Sequence, residues 1–169
     1  KAPDDEHLEE AVEAAAGKLE RRLLSDPLAM KAALERFGQL TTEAELETLA
    51  AALGRARDFE VEVLALQVAS SDTLTERRVA ALHILDALDS PRATDVALDV
   101  LVRESDPRVR RAAVFAIPEP QGTSAADAQR VVATLGRAAQ FDVDPELRRR
   151  AVIQLGAWHH TTADLAPVL

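Results

Sequence analysis

The stretch SDPRVRRAAVFAI, Ser105 to Ile117, has a near copy in VDPELRRRAVIQL, Val143 to Leu155. Three readings compete for the echo: a catalytic motif used twice, a basic patch, or the opening of a repeated structural unit. The third accounts for most of the residues. Asp before Pro reads as a helix N-cap followed by the first helical position. There the carboxylate accepts from free backbone N–H groups and proline has no N–H to leave unpaired. The residues that follow recur as Arg, a small Ala three later, then Ile or Leu four later: Arg110, Ala113, Ile117 and Arg148, Ala151, Leu155. Upstream, Arg77, Ala80 and Ile84 fit the same pattern, giving steps of 33 and 38 residues. Periods of this size mark helix pairs that cannot bury their apolar faces without a stacked neighbour.

The same punctuation divides the rest of the chain. Asp26-Pro27 is a third Asp-Pro start, Ser90-Pro91 a hydroxyl variant, and Thr42 to Glu45 and Thr73 to Glu76 have capping-box spacing. Between these signals the apolar residues fall at helical spacing, as in Leu8, Val12, Ala15, Leu19, Leu23 and again in Val61, Leu64, Val68. Ten helices are expected, near 5–24, 27–37, 43–55, 59–70, 74–88, 92–104, 107–117, 124–140, 145–157 and from 162 onward. The joints are short, which favours antiparallel neighbours. Only Pro118 to Thr123, with two prolines and a glycine, reads as a longer loop.

Composition agrees with an all-α fold. Of 169 residues 47% are hydrophobic but only 3% aromatic, so the core must be built of Ala, Leu and Val, which suits closely packed helices. The net charge is −9, and residues 1–72 carry 16 acidic against 8 basic side chains. That balance disfavours nonspecific nucleic-acid binding, whose affinity comes from cations displacing counterions from phosphate. The absence of cysteine excludes disulfides, zinc–thiolate sites and thiol catalysis. No apolar run approaches the roughly 20 residues that span a bilayer. A start at Lys1 reads as a processed or excised piece.

The pattern resembles HEAT-like repeats, in particular the bacterial lyase-type repeats written roughly D-P-x-V-R-x-x-A-x-x-x-L. Asp106, Pro107, Val109, Arg110, Ala113 and Ile117 match it, as do Asp144, Pro145, Leu147, Arg148, Ala151 and Leu155. The resemblance covers Thr73 to Trp158. Residues 1–72 depart from it, with Met30 and Glu62 at the Arg position, and 159–169 would begin a further or capping helix. It implies one domain over 1–169, an α-solenoid of about five antiparallel helical hairpins. It also implies that Asp106, Arg110, Asp144, Arg148 and Arg77 form a ladder between successive repeats, and that the source is bacterial; the compartment stays open between the cytoplasm and the soluble periplasmic part of an anchored or secreted protein.

Residues that the repeat does not use are the candidates for contact with a partner: Arg108, Arg111, Arg149, Arg150 and Trp158. Guanidinium forks suit carboxylate and phosphate alike. Trp158, His159 and His160, with Asp164, have metal-ligand residue types without metal-ligand spacing, and read as a helix end and its cover. His7 belongs to the acidic N-terminus and His83 to the polar face of a helix. No phosphate loop, nucleophile elbow or Ser-His-Asp arrangement is present. The expected function is a non-catalytic protein-interaction scaffold without cofactor or metal, its partner a basic or mixed-charge protein. Two other classes stay open: a nucleic-acid-binding repeat protein that uses the C-terminal arginines, and an enzyme-assisting role like that of the bilin lyases the repeats resemble.

Overall fold

The structure, a computed structural model, describes residues 3–120 and 123–164, with side chains from Ala14 to Pro120 and from Thr123 to Trp158. Nine α-helices and no strand occur among the described residues: α1 (Pro3–Ser25), α2 (Pro27–Phe37), α3 (Glu43–Ala56), α4 (Phe59–Ser71), α5 (Thr75–Leu88), α6 (Ala93–Arg103), α7 (Pro107–Phe115), α8 (Ala125–Phe141) and α9 (Pro145–Asp164). The all-helical expectation holds, and no helix among these residues is long and apolar enough to cross a membrane.

The caps behave as their chemistry requires where Asp leads. Asp26, Asp58, Asp106 and Asp144 each accept from the N–H two residues on, at 2.7–3.0 Å. Hydroxyl starts are less faithful. The Thr42 side chain bonds to Glu45 instead of capping α3, and Ser90-Pro91 forms a turn whose Ser90 carbonyl accepts from Ala93 before α6 begins. No break separates 157 from 162: α9 runs on to Asp164, so the separate helix expected from 162 is a continuation, and 165–169 lie outside the described residues.

The chain divides into two compact units, Lys1–Leu88 and Asp89–Leu169. In the first, α3 packs against both α1 and α5, and α5 also packs on α4. Its core is aliphatic apart from Phe37, with Phe37, Leu46, Leu53, Val61, Leu82, Ile84 and Leu85 almost fully buried. At Gly54 α3 and α5 approach closely, since a Cβ there would stand 2.6 Å from the Ala87 Cβ. In the second unit α6 packs on α7 and α8 on α9, while α6 also meets α8 and α7 meets α9. Val109, Ala112, Ala113, Ile117, Val131, Leu135, Leu147 and Ala151 fill the space between them.

Candidate functional site

The turn before each motif helix is built the same way. A carboxylate two residues ahead of the cap accepts from the cap N–H: Asp72 from Leu74 (2.7 Å), Glu104 from Asp106 (2.8 Å) and Asp142 from Asp144 (2.9 Å). Four residues after the cap, an arginine folds back on the turn. Arg110 Nη1 donates to the carbonyls of Glu104 and Ser105 at 3.1 and 2.8 Å, and Arg148 Nη1 to those of Asp142 and Val143 at 2.8 and 3.3 Å. Arg110 then turns its other edge outward, with Nε and Nη2 each donating to Asp142 at 2.9 Å. Asp142 therefore serves two turns at once.

In the first unit the residue four after the Leu74 position is Arg78, whose Nε donates to the Ala69 carbonyl at 3.2 Å. Arg77, one place earlier, makes the longer tie. Its Nε and Nη2 hold Asp72 at 2.9 and 3.0 Å, while Nη1 reaches the carbonyls of Gly38 and Leu40 in the turn between α2 and α3. Counted from the caps, Arg78, Ala81 and Leu85 stand in register with Arg110, Ala113 and Ile117. The spacing in the sequence cannot separate this from Arg77, Ala80 and Ile84, because both alanines and both Ile84 and Leu85 are buried.

Asp106 and Asp144 cap their own helices, and Asp144 also bridges helices, at 3.3 Å from Arg111 Nε. The carboxylate that binds Arg110 is Asp142, which sequence reasoning passed over. Its recurrence with Asp72 and Glu104, always two residues before a cap, was the available signal. Burial pushes the Asp142 carboxyl up, but the Arg110 fork, the Asp144 N–H and the charges of Arg110 and Arg148 more than offset this and hold it below its ordinary value. The Asp142 hydrogen bonds in turn raise the Arg110 pKa.

The other arginines expected to meet a partner are placed on carboxylates of the same unit. Arg108 lies 3.4 Å from Asp106. Arg149 forks Glu146 at 3.0 and 2.7 Å; Arg150 shares that carboxylate at 3.0 Å and sits 4.0 Å above the Phe115 ring. With Arg149 hydrogen-bonded to it and Arg150 beside it, the Glu146 carboxyl falls to about 2. Arg108, Arg111, Arg149 and Arg150 thus do not converge into one uncompensated cationic patch, which is what a phosphate clamp would need.

Exposed apolar side chains gather elsewhere on the second unit. Phe141 is 74% and Val143 85% exposed, and Val102 is exposed too. Phe141 and Val102 line a groove of about 290 Å³ between α6 and α8, with Leu101, Ala133 and Arg137. Trp158 goes the other way. It is 1% exposed, and its Nε1–H has no acceptor among the described residues. Its ring lines a cavity of about 430 Å³ with Asp89, Asp95, Glu119, Asp127 and Arg130. His83 is exposed on α5, whereas the side chains of His7, His159, His160 and Asp164 lie outside the described residues. No group of three or more potential metal ligands occurs among those described. Comparison with protein-family models, with curated proteins and with solved structures finds no match to this chain.

Proposed function

We propose that the chain is a HEAT-like helical-repeat module that binds another protein, with no catalytic step of its own. The observation that carries this reading is the pair of exposed apolar side chains, Val102 and Phe141, that line the α6–α8 groove. Large apolar side chains left in water at one place are characteristic of interaction surfaces, whereas scattered single ones are ordinary. Arg137 at the groove wall adds a cation that an apolar segment with an acidic residue would complement. The repeat reading is supported by the recurring turn, with its carboxylate two residues before the cap and its arginine four after it. Pairing of α6 with α7 and α8 with α9, with α8 laid on α6 and α9 on α7, is the neighbour-on-neighbour packing that such repeats use.

Net charge and arginine pairing both weigh against a polyanion as ligand. The partner is instead a protein of mixed charge, with a basic region suited to the acidic residues 1–72 and an apolar segment for the groove. Photo-crosslinking tests this directly. A benzoylphenylalanine placed at Phe141 in cells of the source organism should give a discrete protein adduct, and one placed at the exposed Ala125, at the opposite end of α8, should not. Nucleic-acid adducts at 141, or none at either position, would contradict the reading.

A further inference from the structure

The way α9 docks on α7 is a template for what should dock on α9. Three contacts define that docking: Asp142 in the fork of Arg110, Asp144 beside Arg111, and Arg150 over the Phe115 ring. At the repeat step of 38 residues, Arg148, Arg149 and Ile153 occupy the places of Arg110, Arg111 and Phe115. Arg148 is also prepared in the same manner as Arg110. Its Nη1 is fixed by the two carbonyls of its own turn, so the guanidinium plane is set before any ligand arrives. The edge that in Arg110 grips a carboxylate, Nε with Nη2, has no acceptor in Arg148 among the described residues. Beside it Val152 and Ile153 are exposed, one helical turn on from Arg148 and Arg149.

We propose that this face of α9 is a second docking surface, and that it takes an acidic turn leading into a helix on a protein partner, with two carboxylates spaced as in Asp142-Val143-Asp144. The first carboxylate enters the Arg148 fork through two parallel hydrogen bonds. The second meets Arg149, whose Nη1 is left over when Nε and Nη2 hold Glu146. The helix that follows covers Val152 and Ile153. A fork already held in position gains most from a carboxylate, because little side-chain freedom remains to be lost on binding. A phosphate could enter a single fork as well, but the adjacent surface of Val152 and Ile153 is apolar, which favours a polypeptide. The proposal rests on the protein-binding reading above but uses a different face from the α6–α8 groove.

The probe is a fluorescein-labelled synthetic peptide, QFDVDPELRRRAVIQL, copied from residues 140–155 and titrated into the full chain with anisotropy as the readout. Saturable binding is expected, weakened at least about tenfold by Arg148→Gln in the protein, by Arg148→Lys, which keeps the charge and removes the fork, and by Asn at both aspartates of the peptide. Melting curves of the two variants identify any that is misfolded; Phe141 adduct formation separates failure of this face from failure of the interaction reading. No saturation up to about 1 mM peptide would overturn the proposal. So would equal binding by folded Arg148→Gln, which would mean that the peptide has displaced α9 from α7. A concentration-dependent dimer abolished by Arg148→Gln would put a second copy in the partner's place and overturn it too.

Discussion

Arg110 and Asp142, 32 residues apart, meet through two parallel hydrogen bonds of 2.9 Å, and only 9% and 10% of their side chains remain exposed. An ion pair this dry is stable only while it is complete, since removing one partner leaves a buried charge without compensation. Arg110→Met or Asp142→Ala should each destabilise the protein by about 3–5 kcal/mol. The double variant should lose much less than the sum, because neither charge is then stranded. Urea unfolding of the four proteins measures the cycle.

Acid should weaken the same contact. The folded-state pKa of Asp142 lies below the ordinary 3.8, so its stabilisation is fully present above that value and is lost as pH falls through the lower folded one. Asp72, held by Arg77 against the opposing effect of burial, has the same sign. The melting temperature of the wild type should therefore drop steeply below about pH 4. Asp142→Asn should start lower at neutral pH and fall less steeply over that window.

Two glycines in helix interiors should respond oppositely to the same change. Gly54 has Ala87 where its Cβ would go, at 2.6 Å, so Gly54→Ala should separate α3 from α5 and cost about 1–3 kcal/mol, more than the gain in helix propensity. A Cβ at Gly136 would meet no other part of the described structure within 4 Å beyond its own helix backbone, and Gly136→Ala should stabilise by about 0.5–1 kcal/mol. Thermal midpoints of the two variants decide it.

Ala113 and Ala151 are fully buried, at the places where the repeat calls for a small residue between helices. Leucine at either position should overpack the second unit and cost roughly 1–3 kcal/mol, read as a lower denaturation midpoint. An unchanged midpoint for both would break the alignment of the two motif helices.

Much of this was legible in the chain. Asp-Pro starts sit where α2, α7 and α9 begin because carboxylate cap and proline act locally, within one turn. The buried alanines follow from helical spacing. The partner of Arg110 was not legible, since Asp142 belongs to the next turn and only the packing of α9 on α7 brings it there. Nor was the closeness of Gly54 to Ala87, which lie 33 residues apart in sequence on two different helices. The exposure of Phe141 was hidden for the same reason. An apolar residue at the end of an amphipathic helix reads as core until its neighbours are known.

The central claim, that the second unit receives a protein at its apolar groove, is tested most directly by affinity capture from the source cells with the wild type and with Phe141→Glu. Because Phe141 is exposed, the substitution should leave the melting curve unchanged. The account requires a specific polypeptide that the wild type retains and the folded variant loses. Equal retention by both, or retention of nucleic acid in its place, would contradict it.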